Sequence, residues 1–160
     1  MNTLRPSFYP PLSLRLHPDP VLRQTCMPVE QFDSRPADRI DEMRTLMKQH
    51  DGIGLAAPQV GLSEQFFVVE ISGQFIGLIN PLIVNSSGQD EMEEGCLSLP
   101  SQQVRVLRKT TVDIAGYNIL GHRQLYHLDG LWARAVQHEV DHLNGRLICD
   151  YNTANHEVSS

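Results

Sequence analysis

Hydrophobic residues near the start of the chain recur with the period of a helix. Ile40, Met43 and Met47 are separated by three and four positions, so their side chains share one face. Ser34 can cap such a helix, and Pro36 fits its first turn. The Asp-Gly pair that follows breaks the pattern. These positions predict an amphipathic helix that ends just before a glycine-rich loop.

The middle of the chain changes to a strand pattern, rich in β-branched and aromatic residues. Turn residues separate its segments at Ser72-Gly73 and at residues 118–121. Four strands are predicted, at residues 65–71, 74–79, 103–107 and 110–117.

A second helical pattern follows the strands. Asp129 is a suitable N-cap, and Asn144 is the last residue before Gly145, which can supply a left-handed stop. Steps of four, three and four positions place an inward stripe on one face, formed by Leu131, Ala135, His138 and His142. The two histidines are therefore expected to point into the protein.

The order helix, strands, helix predicts an α+β fold, with antiparallel or mixed sheets packed around the second helix. The length of 160 residues fits one catalytic domain, residues 1–160, with its core at about 12–151. A short N-terminal extension without a secretory signal is expected before the core. After Asp150 the sequence is polar, and a frayed tail is expected there.

Composition narrows the classes of function. A net charge of -6 and a pI near 5.6 argue against a nucleic-acid partner, and no apolar run is long enough to cross a membrane. The chain has three cysteines, Cys26, Cys96 and Cys149, whose spacing suggests no disulfide framework. A reducing, intracellular setting is expected.

Residues 137–142, Gln-His-Glu-Val-Asp-His, contain the spacing His-x-x-x-His with a glutamate after the first histidine. On a helix, His138 and His142 lie one turn apart, where a single metal ion can reach both, and Glu139 can carry protons beside it. The alternative is a pair of hydrogen-bonded histidines that fill space beneath a sheet.

A catalytic ion needs a third protein ligand, and Cys96 is the candidate. A lone free cysteine more commonly fills buried space, but the histidine pair favours a ligand here. The loop at residues 52–61 is uncharged and rich in small residues, with Gln59 near its end. Its amide could stabilise an oxyanion, or it could simply satisfy loop carbonyls.

Three segments together resemble the peptide deformylase family. They are Gly-Ile-Gly-Leu-Ala-Ala-Pro-Gln at 52–59, Glu-Gly-Cys-Leu-Ser at 94–98 and Gln-His-Glu-Val-Asp-His at 137–142. The similarity extends to residues 17–23 and 78–81, so it covers about residues 12–151.

The resemblance implies removal of formyl from N-formylmethionyl peptides of nascent proteins. It implies that Cys96, His138 and His142 bind the metal, that Glu139 handles protons, and that Gln59 and the Leu97 amide stabilise the oxyanion. The implied native ion is Fe²⁺, with Zn²⁺ or Ni²⁺ expected in the purified protein.

The resemblance also implies a substrate pocket. Its expected lining residues are Ile53, Gly54, Met92, Gly95, Leu131, Arg134 and Ala135, together with His138. The stem of Arg134 is expected at the rim with its guanidinium in water. Glu94 and Arg108 match an acidic and basic pair that would either support the ligands or form an ordinary surface ion pair.

Some positions depart from the better-known bacterial pattern. Gln103 stands where an arginine is frequent, which puts a substrate-carboxylate contact in doubt. Familiar members continue into a long C-terminal helix, whereas few residues follow Asp150 here, so a ribosome contact through such a helix is not expected. A bacterial cytoplasm, a virus-infected bacterial cell and an organelle all remain open as locations.

Three rival functions remain. A structural metal site would need a fourth protein ligand. A metalloprotease shares the histidine motif. An inactive relative of the deformylases would keep the fold without the chemistry.

Overall fold

A computed structural model describes residues 11–151. The predicted N-terminal extension and most of the polar tail lie outside this range. Within it, two helices and seven strands are α1 (Ser34–Gln49), β1 (Gly54–Ala56), β2 (Phe66–Ile71), β3 (Gln74–Ser87), β4 (Asp90–Cys96), β5 (Leu99–Arg108), β6 (Thr111–Tyr117), β7 (Arg123–Asp129) and α2 (Gly130–Leu143). Short 3-10 helices form at Pro20–Arg23 and Ala57–Val60, and residues 148–151 form a helical turn.

The strands form two antiparallel sheets. One has five strands in the order β1-β2-β3-β6-β7, and the other is the hairpin β4-β5. Helix α2 packs against the larger sheet, where Ala133, Val136 and Leu143 share a core with Phe67 and other residues of the strands. The predicted α+β fold is confirmed. No helix in the described range is long and apolar enough to span a membrane.

Helix α1 confirms the first hydrophobic pattern, since Ile40, Met43 and Met47 are all buried. Its N-cap differs from the expectation. Asp33, not Ser34, caps the helix, because its carboxylate accepts a hydrogen bond from the Arg35 amide at 3.0 Å.

The strand predictions are correct for β2 and β6 to within one residue and incomplete elsewhere. Strand β3 continues beyond residue 79, where the predicted strand ended, and passes through Pro81. Pairing with β2 ends at Ile79, and the register to β6 shifts between Ile79 and Leu82, so the missing proline N–H leaves no gap in the ladder. The predicted strand at 103–107 is the second half of the longer β5, which begins at Leu99.

Three strands were not predicted, β1, β4 and β7. Strand β4 is acidic and mostly exposed, and β7 has no fully buried position. Strand β1 has only three residues. These segments lack the alternating hydrophobic signal, and their pairing partners hold them in place.

Helix α2 begins after Asp129 as predicted, although the Asp129 side chain makes no capping hydrogen bond. Gly145 has a φ of 74°, which confirms the left-handed stop. The inward stripe needs one correction: Leu131 is 50% exposed, because it lines an open cavity. Tyr151 also differs from the expected frayed tail, since it is helical and half-buried.

Candidate metal and active site

Two parts of the fold bring three potential metal ligands together. Cys96 ends β4, and His138 and His142 lie one turn apart on α2. The two histidine Nε2 atoms are 3.2 Å apart, and Cys96 Sγ lies 3.4 Å from His142 Nε2. A tetrahedral ion with ordinary zinc bond lengths needs about 3.3 Å between two nitrogens and about 3.6 Å between nitrogen and sulfur. The three donor atoms, all within 4.8 Å of one another, fit a single metal ion.

Glu94, on β4, orients His138. Its Oε1 atom accepts a hydrogen bond from His138 Nδ1 at 3.0 Å, which leaves Nε2 as the nitrogen with a free lone pair. Arg108 donates from Nε and Nη2 to the two Glu94 oxygens, each at 2.9 Å. The Glu94 and Arg108 side chains are 6% and 4% exposed. This pair is therefore buried behind His138 and is not a surface ion pair.

The charge of Glu94 follows from its partners. Burial alone would raise the pKa of this carboxyl group, but hydrogen bonds from Arg108 and His138 outweigh the burial and lower its pKa to about 2. Glu94 is ionised at neutral pH and is a strong acceptor for the His138 ring.

His142 has a different environment. Burial, together with nearby His138 and Arg108, lowers the pKa of His142 well below its usual value, so its ring is neutral and able to bind a metal. Its Nδ1 atom has no hydrogen-bond partner among residues 11–151. Of these two histidines, only His138 has a carboxylate partner in the described range.

Glu139 is buried with an unused oxygen. Its Oε1 atom has no hydrogen-bond partner within the described part of the chain, and burial raises its pKa to about 7. A Cβ atom at Gly54 would lie only 2.3 Å from Glu139 Oε2. The glycine in β1 thus lets the carboxylate lie directly against the backbone beside the cavity, with a pKa suited to moving protons at neutral pH.

Gln59 is 1% exposed and bridges two segments of the site. Its Oε1 atom accepts a hydrogen bond from the Ala56 amide at 2.9 Å. Its Nε2 atom donates to Ser98 Oγ at 3.1 Å and lies 3.6 Å from Cys96 Sγ. The oxygen accepts from the loop backbone, whereas the amide nitrogen is turned towards Cys96 and Ser98.

Leu97 follows Cys96 in the turn between β4 and β5. A Cβ atom at Gly52 would lie 2.8 Å from Leu97 Cδ1, so the Leu97 side chain packs tightly against the loop before β1. This contact fixes the turn whose backbone adjoins Cys96.

A cavity of about 410 Å³ opens beside Cys96, His138 and Glu139. Every predicted substrate-binding position lines it: Ile53, Gly54, Met92, Gly95, Leu131, Arg134 and Ala135. Ile53, Met92 and Leu131 are between 43% and 50% exposed and form an apolar rim. Such a cavity could hold an unbranched apolar side chain next to the three donor atoms.

Arg134 corrects one expectation. Its guanidinium is buried and not in water, with the residue 7% exposed. Nη1 donates to Glu94 Oε2 at 2.6 Å and to the Val106 carbonyl at 3.0 Å, and Nη2 donates to the Asp90 carbonyl at 2.7 Å. Sequence reasoning missed these contacts because the partners lie on other elements, distant in sequence.

Two further residues near the site were not predicted. Asp141 accepts hydrogen bonds from Arg108 Nη1 at 2.6 Å and from the Tyr151 hydroxyl at 2.5 Å. Burial and the bond to Asp141 raise the pKa of Tyr151 to about 12, so its phenol is a donor at neutral pH. The position of Asp141 next to His142 was a signal for its part in the network, but nothing in the sequence pointed to Tyr151.

Comparisons with known proteins identify the family and the fold. The chain matches the family model for polypeptide deformylase over residues 11–157. It is 46% identical over 143 residues to the peptide deformylase of Halothermothrix orenii, which covers 88% of this chain and 93% of that protein.

Solved structures show the same similarity. The crystal structure of peptide deformylase from Thermotoga maritima superimposes with a TM-score of 0.86 at 40% identity, covering 89% of this chain and 97% of that one. A peptide deformylase from Synechococcus elongatus in complex with actinonin has a TM-score of 0.84 at 40% identity, with 88% and 78% of the two chains covered.

Proposed function

The chain belongs to the polypeptide deformylase family, and on this premise we propose that Cys96, His138 and His142 bind its metal and that Glu139 moves protons beside it. The protein is a metal-dependent hydrolase that removes the N-formyl group from N-formylmethionyl peptides. The convergence of three donor atoms beside a buried, partly unsatisfied carboxylate carries the assignment of these residues.

Each residue has a distinct part in the reaction. A bound divalent ion supplies a Lewis acid for the formyl carbonyl and acidifies a water molecule. Glu139 accepts a proton from the attacking water and delivers it to the nitrogen of the departing amine. Its unused Oε1 atom and its pKa of about 7 support both transfers at neutral pH.

Gln59 and Leu97 stabilise the charge that develops on the formyl oxygen. The Gln59 amide is held by Ala56 and Ser98, so its nitrogen is oriented before substrate arrives. The backbone N–H of Leu97 is the second donor. Loss of one such donor typically costs about 3 kcal/mol of barrier, or about two orders of magnitude in rate.

The methionine side chain of the substrate occupies the cavity. Ile53, Met92 and Leu131 supply apolar contacts at the rim, and Ala135 leaves room at the inner wall. Because the Arg134 guanidinium donates to Glu94 and to two carbonyls, an apolar side chain can bind beside it without removing water from an unpaired charge. Gly54 and Gly95 let the substrate backbone approach closely.

The native metal is proposed to be Fe²⁺. One thiolate and two imidazoles also suit Zn²⁺ and Ni²⁺, and both lie above Fe²⁺ in the usual order of affinity. Zinc is therefore expected after aerobic purification, when oxidation of the iron or of the Cys96 thiolate releases the native ion. Matched samples fully loaded with Fe²⁺, Ni²⁺ and Zn²⁺ should show lower activity with zinc, and equal rates would refute this proposal.

The reaction is proposed to take place in the cytoplasm, on nascent chains.

The rival functions predict different results. A structural metal site or an inactive member of the family would show no turnover, and a general metallopeptidase would cleave internal peptide bonds.

The decisive experiment compares two acyl groups. Formyl presents only hydrogen beside the carbonyl carbon, whereas acetyl adds a methyl group that presses on the ligands or on the attacking water. One extra methyl in a rigid site costs about 1–3 kcal/mol, and displacement of the reacting carbon adds a loss of about 10²-fold. On one Fe²⁺-loaded preparation, kcat/KM for formyl-Met-Ala-Ser should exceed that for acetyl-Met-Ala-Ser by about a thousandfold or more. Comparable values would contradict the deformylase function.

A further inference from the structure

Arg134 joins the three elements around the metal site. It lies on α2, one helical turn before His138. Its guanidinium donates to Glu94 and to the Asp90 carbonyl on β4, and to the Val106 carbonyl on β5. All three distances are between 2.6 and 3.0 Å. One buried side chain therefore ties the helix that carries two ligands to the hairpin that carries the third.

The contacts to Glu94 close a ring. His138 Nδ1 donates a hydrogen bond to Glu94 Oε1, and Arg134 Nη1 donates one to Glu94 Oε2. Both donors come from the same helix, so α2 holds the carboxylate at two points, and Arg108 on β5 contacts the same two oxygens. Cys96 lies two residues after Glu94 on β4. Whatever holds Glu94 against α2 also sets the distance from the Cys96 thiolate to the two histidines.

Arg134 also balances charge. Arg108 and Arg134 are two guanidinium groups set among two carboxylates, Glu94 and Asp141. Three of these four side chains are less than 10% exposed. Removal of Arg134 leaves an excess negative charge in a poorly hydrated region, where such charge is costly.

We propose that Arg134 is a positioning residue for the metal site, which holds α2 and β4 at the separation where Cys96, His138 and His142 meet. The proposal rests on the proposed function only in taking these three residues as the ligands.

The test uses the full chain loaded with Co²⁺, whose visible absorption reports the coordination geometry and the thiolate bond. Arg134→Met keeps a long apolar side chain along the cavity but removes the guanidinium group and its charge. Arg134→Lys keeps the charge, but a single ammonium group cannot reproduce the planar guanidinium that reaches three acceptors. Arg105→Met is the matched control, because it removes an exposed arginine–carboxylate pair from the same hairpin.

Two quantities are measured at a temperature where every variant is folded: the Co²⁺ spectrum and the half-time of metal loss to a chelator. Outer contacts of metal ligands typically change affinity by about 10–100-fold. We expect Arg134→Met to lose metal about tenfold faster than the unaltered protein, with a shifted thiolate-to-cobalt band. Arg134→Lys should show the same spectral shift and faster loss, and Arg105→Met should match the unaltered protein in both readouts.

Wild-type behaviour of Arg134→Lys would overturn the proposal, because charge alone would then suffice. Wild-type behaviour of Arg134→Met would overturn it as well. If Arg134→Met does not fold, the comparison of Arg134→Lys with Arg105→Met decides. If the unaltered protein binds Co²⁺ but does not deformylate, the proposed function is refuted and the Arg134 comparison remains valid. If the unaltered protein does not bind Co²⁺, the ligand assignment and both proposals are overturned.

Discussion

Gly54→Ala tests the close contact between β1 and the proposed proton carrier. A Cβ atom at this position would lie 2.3 Å from Glu139 Oε2, and ordinary contact begins at 3.4 Å, so the carboxylate or the strand must move by about 1.1 Å. A misplacement of about 1 Å typically costs about 10²-fold in rate. We therefore expect kcat/KM for formyl-Met-Ala-Ser to fall about a hundredfold. Bound metal should not change, because Glu139 is not proposed as a ligand.

Gly77→Ala is the control for adding a methyl group within the same sheet. Its Cβ atom would meet Ile40 Cγ2 at 3.1 Å, on the side of the sheet that faces α1. This contact is tight but does not line the cavity. Gly77→Ala should therefore keep its activity within about twofold while losing some stability, about 1–3 kcal/mol at most. If Gly54→Ala stays within about threefold of the unaltered enzyme with full metal content, the position of Glu139 does not limit the reaction.

Three further predictions follow from individual side chains. Glu139→Gln should keep stoichiometric metal and lose about 10²–10⁴-fold in turnover, and a loss under about tenfold would remove Glu139 from proton transfer. Tyr151→Phe deletes the hydroxyl that donates to Asp141 and should lower the free energy of unfolding by about 1.5–3 kcal/mol. The measurement is urea unfolding, with Tyr126→Phe as the control. A difference between the two variants of under about 0.5 kcal/mol would contradict the contact. Cys26 is 2% exposed and burial raises its pKa to about 11, so at pH 8 about 0.1% of it is thiolate. Iodoacetamide should therefore label Cys26 only slowly in the native protein, as measured by mass spectrometry. Rapid labelling would contradict the buried position of this thiol.

The two helices could be predicted because local rules decide them. The spacing of Ile40, Met43 and Met47 and the glycine at 145 act within a few residues of one another, and both patterns agree with the structure. The cap of α1 was misplaced by one residue, since Ser34 and Asp33 are both good caps and only the backbone hydrogen bond distinguishes them.

Strands depend more on their partners. The hydrophobic strands β2 and β6 were visible in the sequence, whereas the acidic β4 was not. Strand β4 exists because six of its residues pair with β5 and because Glu94 is held by two arginines. Neither cause is a property of the segment itself, so no reading of its own residues would have found it.

The active site also combines features that local sequence determines with features that depend on distant partners. The four-residue step from His138 to His142 is fixed by helix geometry. Cys96 and Gln59 were candidates from their sequence context, and similarity to a family strengthened both and supplied Leu97. The contacts that hold these residues in place cross between α2 and the β4-β5 hairpin, over about 30 to 45 positions of sequence. A charged residue on an apolar helix face, such as Arg134, predicts only that a partner is needed if it is buried. The identity of that partner, Glu94, depends on the register between β4 and α2. For this reason the sequence pointed to the proposed ligands and to the Glu94–Arg108 pair, but not to the contact between Arg134 and Glu94 that joins α2 to β4.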